Sequence, residues 1–405
     1  MKSLDATFFG GNRTRTIEQL QGSLLVASAY SQMQRGNDMA FQFEQEANFW
    51  YLTGIEHADW WVIIDGKRNK TWLVSPTVDD VHDLFNGSLS ASSAKQISGI
   101  DEVIDRSEAL AILSQVARTY QTVYTIDQPA HSEHFGFTMN PAARELRDQL
   151  SRLFKRVEDF RPKIAELRAI KQPVEIDAMQ SAIDLTIEAF THVKKSIKTY
   201  KYEYQVEADF NHIFRRAGAR GHAYDPIVAD EHNACTLHYI HNDDPLKKGS
   251  LLLLDIGARR HGYAADITRT YAVGKPTKRQ IAVHDAVVRA QAEIIKLLQP
   301  NLNVAEYHDT VDDIMKRELI GLGLIADGDD PRYRTYFPHA VSHGLGIDVH
   351  DSLGRPRTFQ QGMVLTVEPG IYIPEENIGV RIEDDILITK DGYRNLSAKL
   401  STSME

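Results

Sequence analysis

Two aspartates at the ends of predicted strands are the first residues whose type and spacing could do chemistry. Leu251-Leu252-Leu253-Leu254 is typical of a buried strand that ends at Asp255, and Asp266 lies on the next predicted strand, beyond a polar turn. If that turn is symmetric about residues 260 and 261, Asp255 and Asp266 are directly opposite each other, with Cβ atoms about 5 Å apart. Opposed like charges destabilise a sheet and burial adds to the cost, so the pair favours a bound cation. The alternative is two surface aspartates that a bulge places on different faces.

A second pair of carboxylates repeats this pattern further along the chain. Apolar strands are predicted just before Glu368 and just before Glu383, and the turn-like segment Pro374-Glu375-Glu376-Asn377 contains the midpoint between them. Glu368 and Glu383 are therefore predicted to form another cross-strand pair. The register stays open, because Pro369-Gly370 could add a bulge.

Three histidines, His339, His343 and His350, fall within twelve residues between the two pairs. One histidine alone is more often structural, but the carboxylates favour a site. Four carboxylates carry four negative charges, which two divalent ions would balance, and a neutral imidazole would add a ligand without changing the sum. Oxygen-rich ligands with a single nitrogen suit manganese better than a structural zinc site. Two ions about 3.5–4 Å apart form a known hydrolytic device that holds a shared water and lowers its pKa.

The elements that must position these residues are predicted from hydrophobic periodicity and end signals. The first half is α/β, with strands at Leu24–Ala27, Trp60–Lys67 and Thr71–Val74 and helices at Ala109–Ala117 and Ala142–Phe154. Arg161-Pro162 is a predicted boundary, because a residue before proline is disfavoured in a helix. We therefore expect domains of residues 1–160 and 161–405.

The second half predicts an α+β domain. Apolar residues at spacings of three and four indicate a helix over Glu175–Lys198, Thr277 opens a capping box before a helix that ends by Pro300, and Asn303 starts another that stops near Gly321 or Gly323. The strands predicted among these helices are Leu251–Gly257, Tyr263–Val273, Met363–Glu368 and Val380–Thr389.

Composition excludes several classes of protein. The 405 residues carry a formal net charge of −10, which disfavours nucleic acid or an anionic membrane surface as a partner. Cys235 is the single cysteine, so an internal disulfide and a cysteine-rich zinc site are excluded. The N-terminus lacks the apolar stretch of a secretory signal and no run approaches a membrane span, so we expect a cytoplasmic protein. His131 and His134 are interpreted as solvated loop residues.

The predicted site residues and the segments around them resemble a known family. Residues 163 to 396 resemble the pita-bread metallopeptidases, which include methionine aminopeptidase, prolidase and aminopeptidase P. Asn48-Phe49-Trp50-Tyr51-Leu52-Thr53-Gly54, with Phe41 and Phe43 before it, resembles the N-terminal domain of aminopeptidase P. The motifs that carry the first resemblance are Leu254-Asp255-Ile256-Gly257, Gly262-Tyr263-Ala264-Ala265-Asp266-Ile267-Thr268-Arg269-Thr270, Ser342-His343-Gly344-Leu345-Gly346, Val367-Glu368-Pro369-Gly370 and Val380-Arg381-Ile382-Glu383-Asp384.

The resemblance implies a role for each matching residue. Asp266 and Glu383 would bridge two metal ions, and Glu368 would also take the proton of the attacking water. His350 would contact the substrate carbonyl, and His238 and His339 would line the pocket for proline and the groups beyond it. Tyr372 and Arg381 match positions that support the ligands and orient substrate. The implied metal ligands are Asp255, Asp266, His343, Glu368 and Glu383.

The resemblance also implies the reaction: hydrolysis of the peptide bond between an N-terminal residue and a following proline. It implies two divalent ions, with manganese the usual activator and cobalt or zinc able to use the same ligands, in a homodimer or homotetramer. One alternative is a prolidase, which has the same five ligands and splits Xaa-Pro dipeptides only. The other is a pita-bread binding module without activity, which should lack at least one ligand; here all five positions are occupied.

Overall fold

The computed structural model describes residues 4–128 and 136–405, so His131 and His134 lie outside the described residues. It contains two compact units, one that extends to Leu167 and one from Arg168 to Glu405. The division falls inside helix Arg161–Ala169, seven residues after the boundary suggested by Pro162. Proline is tolerated in the first turn of a helix, where its missing N–H has no partner to lose. Arg161-Pro162 therefore begins a helix.

The N-terminal unit is built on a six-stranded mixed sheet. Its strands, in spatial order, are Glu102–Ile104, Lys70–Val74, Trp61–Asp65, Leu24–Ser28, Thr122–Thr125 and Arg156–Asp159. Its helices are Ala6–Leu20, Ala47–Thr53, Asp80–Asn86, Ala91–Ser98, Arg106–Val116, Ala142–Leu153 and Arg161–Ala169, and a small hairpin joins Gln34–Gly36 to Met39–Ala40. The predicted hairpin is confirmed, with Asp65 opposite Lys70. Val26 and Ile63 of the sheet and Leu113 and Leu146 of the helices belong to one buried cluster.

The C-terminal unit is α+β, with three three-stranded sheets and a two-stranded one among its described strands. Its helices are Pro173–Ser196, Glu203–Arg216, Lys278–Leu297, Val304–Gly321 and Tyr333–Tyr336. Short 3₁₀ turns cover Glu231–Cys235 and Pro374–Glu376. Its strands are Gly221–His222, Ile227–Asp230, Leu251–Asp255, Ala258–Arg260, Tyr263–Ala264, Thr268–Ala272, Val364–Val367, Gly370–Ile373, Ile378–Arg381, Asp384–Thr389 and Gly392–Asn395.

The predicted helix starts are confirmed at the level of individual hydrogen bonds. The Thr277 side chain accepts from the Gln280 N–H at 3.2 Å, and the Gln280 side chain accepts from the Thr277 N–H at 2.7 Å. The helix that follows buries Val287 and Ile294 in one cluster with Leu365 on the strand before Glu368. Full burial of each such side chain stabilises the fold by roughly 1.5–3 kcal/mol. This packing fixes the sheet that carries the second carboxylate pair.

The first carboxylate hairpin has a register that differs from the prediction. Asp255 lies opposite Thr268, not Asp266. The turn is centred on His261 and Gly262, both with positive φ (54° and 80°), because a two-residue hairpin turn matches the strand twist only in that conformation. Asp266 lies in a break between strands Tyr263–Ala264 and Thr268–Ala272, where one continuous strand was predicted.

The register of the second carboxylate hairpin, which the sequence left open, is the one that pairs its two glutamates. Gly370 pairs with Arg381 and Val367 pairs with Asp384, and the same count places Glu368 opposite Glu383. Pro369-Gly370 therefore adds no bulge. The strand predicted over Val380–Thr389 is nevertheless broken at residues 382–383, because its two parts belong to different sheets.

Candidate metal centre

The two hairpins meet at their breaks. The Glu383 N–H donates to the Thr268 carbonyl at 3.1 Å, and the Thr268 hydroxyl donates to the Glu383 carboxylate at 2.6 Å. Thr268 is the residue opposite Asp255, so this contact brings the two carboxylate pairs together. Within the first hairpin, the segments next to Asp255 and Asp266 approach closely at Gly257, where a Cβ would lie 1.7 Å from the Ala265 carbonyl oxygen.

Three of the five predicted ligands form a group that could hold a metal ion. One side-chain atom from each of Asp266, His343 and Glu383 lies within 4.8 Å of the others. Glu368 joins the group through His343, whose Nε2 lies 3.4 Å from a Glu368 oxygen and 3.4 Å from an Asp266 oxygen. Asp266 and Glu383 are 4% and 1% exposed, so the group is enclosed by protein.

The His343 ring is oriented by the backbone carbonyl of the next residue, Gly344. Nδ1 lies 3.0 Å from the Gly344 carbonyl oxygen, which can only accept, so Nδ1 carries a proton. Burial lowers the pKa of His343, but a hydrogen bond to Asp266 and the charge of Glu368 outweigh it and raise that pKa to about 9, so Nε2 carries a proton toward these carboxylates that a bound metal ion would replace. A hydrogen bond like that of Nδ1 fixes the tautomer of metal-binding histidines in other proteins.

Asp255 is held by two side chains from distant parts of the chain. The Arg381 guanidinium donates to one of its oxygens at 2.6 Å, and the Tyr224 hydroxyl lies 2.6 Å from the other. The same hydroxyl lies 2.6 Å from Asp266. Tyr224 therefore ties Asp255 to Asp266 although they are not an opposed pair.

Arg381, Tyr372 and His339 form a hydrogen-bonded chain that starts at Asp255. Arg381 donates to the Tyr372 hydroxyl at 2.9 Å, and that hydroxyl donates to His339 Nε2 at 2.8 Å. His339 Nδ1 donates to the Ala340 carbonyl, also at 2.8 Å. Burial, aided by the charge of Arg381, lowers the pKa of His339 to about 4, so this imidazole is neutral at physiological pH.

His350 lies beside the cluster on a turn that buried charges hold in place. Its ring packs edge-on against the His343 ring, with centroids 4.3 Å apart, and the residue is exposed. The Arg168 guanidinium donates to Asp348 at 2.7 Å and to Asp351 at 2.9 Å, on either side of His350. His238 is also exposed.

The chemistry of these donors fits a divalent cation. Burial and the charges of neighbouring carboxylates raise the pKa of Glu383 well above its usual range, and burial raises the pKa of Asp266. Burial raises the pKa of Glu368 to about 7, despite the opposing charges of His343 and Arg381. Four carboxyl groups this close cannot all ionise unless positive charge compensates them. Arg381 supplies part of that positive charge, and the count of four carboxylates against two ions did not include it. A divalent metal can supply the remaining positive charge, because carboxylate oxygens with one imidazole nitrogen are suitable ligands for such an ion.

Comparison with known proteins agrees with this geometry. Residues 177–390 match the model of metallopeptidase family M24, and residues 9–124 match the aminopeptidase P N-terminal domain. This chain belongs to metallopeptidase family M24. The Xaa-Pro aminopeptidase of Haemophilus influenzae is 34% identical, over 98% of this chain and 95% of that protein. The Xaa-Pro aminopeptidase of Escherichia coli is 33% identical, over 99% of this chain and 96% of that protein.

Solved structures of aminopeptidase P have the same fold. The low-pH form of the Escherichia coli enzyme aligns with a TM-score of 0.87 and 31% identity, over 100% of this chain and 97% of that chain. The same enzyme with the inhibitor Pro-Leu aligns with a TM-score of 0.85 and 30% identity, over 100% and 97% of the two chains. The α+β pita-bread fold predicted from the motifs is thereby confirmed, and this M24 chain is an enzyme of the metallopeptidase class.

Several residues of this M24 site were missed by sequence reasoning. Tyr224 lies 31 positions before Asp255, in an irregular segment between two short strands, and no spacing rule relates them. Arg168 lies 183 positions before Asp351. The one sequence signal for Tyr224 is a hydroxyl-bearing aromatic residue in the loop Gly221-His222-Ala223-Tyr224-Asp225-Pro226, just before an apolar strand. That signal is weak, because such tyrosines usually only pack.

Replacing Tyr224 with phenylalanine should weaken metal binding without unfolding the protein. The change removes one hydroxyl that lies 2.6 Å from both Asp255 and Asp266, so both carboxylates lose their shared restraint. Loss of a group that orients metal ligands typically costs about 10–100-fold in metal affinity or activity. Titration with a competing chelator measures the affinity. Tyr393→Phe removes the same atom from a residue that is 38% exposed and serves as the control; equal metal affinity in both variants would contradict the role of Tyr224.

Proposed function

We propose that this M24 enzyme is an Xaa-Pro aminopeptidase, which hydrolyses the peptide bond between an N-terminal residue and a following proline. The observation that carries the proposal is the enclosed group of Asp266, His343 and Glu383, extended by Glu368 and Asp255, which fits a hydrolytic metal site. Relatives that match almost the whole chain bear the name Xaa-Pro aminopeptidase. An N-terminal segment that matches the aminopeptidase P domain supports the same choice.

The proposed cofactor is a pair of divalent ions, with manganese favoured by the oxygen-rich ligands and cobalt or zinc as substitutes. Asp255, Asp266, His343, Glu368 and Glu383 would hold them. When bound, such ions polarise a carbonyl group and make a water nucleophilic at neutral pH. We also propose that the enzyme is a homodimer or homotetramer, as the family resemblance implies, and that it acts in the cytoplasm, as expected from the sequence.

The chain's own side chains have separate proposed tasks. Glu368, 16% exposed at its side chain, would receive the proton of the attacking water. His350, exposed beside His343, would donate a hydrogen bond to the substrate carbonyl oxygen as negative charge develops there. Neutral His339, held by Tyr372, would line the proline pocket together with His238. Arg381 would orient Asp255 through the hydrogen bond that it donates to that carboxylate.

Parallel peptide assays test the proposal. Metal-stripped protein is reloaded with manganese and given Gly-Pro and Arg-Pro-Pro-Gly separately, and the released residues are identified. We expect free arginine from the longer peptide, because an aminopeptidase accepts chains that continue past proline. Cleavage of the dipeptide alone would replace the proposal with a prolidase. Cleavage of neither peptide by protein with bound metal would favour a binding module.

A further inference from the structure

Glu203 is a fully buried carboxylate outside the metal centre. It is the first residue of helix Glu203–Arg216 and has 0% exposure. A buried carboxylate is stable only when its oxygens are hydrogen-bonded, and a position in the first turn of a helix favours its negative charge. Burial raises the pKa of Glu203, and hydrogen bonds from the surrounding donors oppose that rise.

Those donors all come from one short stretch of chain. One Glu203 oxygen accepts from the Asp230 N–H at 2.8 Å and from the Asn233 amide at 3.2 Å. The other oxygen accepts from the Tyr239 hydroxyl at 2.8 Å and from the Asp244 N–H at 3.1 Å. Residues 230–244, called here the His238 loop, thus donate hydrogen bonds to the Glu203 side chain from both ends and from the middle.

The middle contact is adjacent to His238. The Tyr239 side chain extends into the protein, where it belongs to one buried cluster with Leu253 and Tyr372, while His238 is exposed. Tyr372 in turn donates to His339. The Glu203–Tyr239 hydrogen bond therefore anchors the loop on the inside directly beside the exposed His238, which is near enough to His339 to interact with it electrostatically.

We propose that Glu203 is a positioning residue that acts through Tyr239 to set the place of His238, and so the binding of the proline end of the substrate. This inference rests on the proposed function, since His238 is assigned there to the proline pocket. Glutamine cannot replace Glu203, because an amide has one acceptor oxygen and would face at least one donor with its own N–H.

Tyr239→Phe is the main test, and Glu203→Gln is the second variant. Tyr239→Phe removes one hydroxyl and keeps the ring in its cluster, so the fold is retained. We expect roughly tenfold lower kcat/KM on Arg-Pro-Pro-Gly, chiefly through KM, since the lost bond joins a hydroxyl to a charged acceptor. Bound metal should be unchanged. Tyr204→Phe is the matched control, because Tyr204 follows Glu203 on its helix and is 48% exposed; its kcat/KM should equal that of wild type.

Double variants separate positioning from general damage. Residues that act through one another have non-additive effects. Tyr239→Phe combined with His238→Ala should therefore be no worse than His238→Ala alone, whereas its combination with His350→Ala should multiply the two losses. Wild-type kcat/KM in both Tyr239→Phe and Glu203→Gln, or multiplied losses with His238→Ala, would overturn the inference.

A readout independent of turnover distinguishes this inference from the proposed function. The imidazole signals of His238 are followed by NMR in histidine-labelled protein and assigned by their absence from His238→Ala. They should shift in Tyr239→Phe and not in Tyr204→Phe. Unmoved signals would overturn the positioning role even if the peptide is cleaved. If the signals shift in Tyr239→Phe but the wild-type protein releases no arginine from Arg-Pro-Pro-Gly, the proposed function is refuted and the positioning role stands.

Discussion

Asp266→Asn should abolish metal loading and activity together. Asp266 is 4% exposed, lies 3.4 Å from His343 and belongs to the three-residue metal-binding group. Asparagine has the same shape, so the fold should survive, but the site loses one of four carboxylate charges. The loss in kcat/KM should exceed the roughly 100-fold that follows removal of a group merely supporting a ligand. Metal per chain, measured by mass spectrometry, is expected to fall in parallel.

A surface aspartate provides the control for this result. Asp184→Asn makes the same change in a residue whose side chain is 45% exposed and paired with Lys399. It should keep full metal content and activity, because an exposed ion pair contributes little. An Asp266→Asn protein that retained both ions and normal turnover would refute the ligand assignment, and with it the proposed site.

His350→Ala should lose turnover while keeping its metal. His350 is exposed and contacts the His343 ring, and its proposed partner is the substrate carbonyl. Removing one hydrogen-bond donor to a developing oxyanion typically lowers kcat by about 10²–10³-fold. The fall should therefore appear in kcat, measured on Arg-Pro-Pro-Gly at saturating manganese, with metal content equal to wild type.

The matched control for this variant is His212→Ala, from an exposed position on helix Glu203–Arg216. It should have wild-type kinetics and metal content. If His350→Ala instead loses metal as steeply as it loses rate, then His350 supports the ligands and the substrate contact is wrong. Together with Asp266→Asn, the variant separates metal binding from the stabilisation of charge on the substrate.

The hairpins illustrate how far local sequence rules extend. In the second hairpin the midpoint between Glu368 and Glu383 indicated a cross-strand pair, because pairing in a hairpin depends on residues close in sequence, and the structure decided the register by showing no bulge at Pro369-Gly370. For the first hairpin, the same argument placed the centre of the turn one residue too early in the chain. There the positive φ at His261 and Gly262 moved the turn, so that Thr268 and not Asp266 faces Asp255. Turn conformation, rather than symmetry of the polar segment, sets the register.

Local patterns in the sequence were enough for the helix starts at Thr277 and Asn303, the apolar strands before the carboxylates, and the residue types of a divalent-metal site. These features depend on periodicity, capping and charge within a few tens of residues. The breaks at Asp266 and Glu383 depend on the sheet to which each strand segment is joined. The hydrogen bonds from Tyr224 and Arg168 link residues 31 and 183 positions apart, and no sequence period encodes such contacts. Packing of distant segments therefore set the geometry of the site, because a charge cluster this buried is stable only where several elements supply its partners at once.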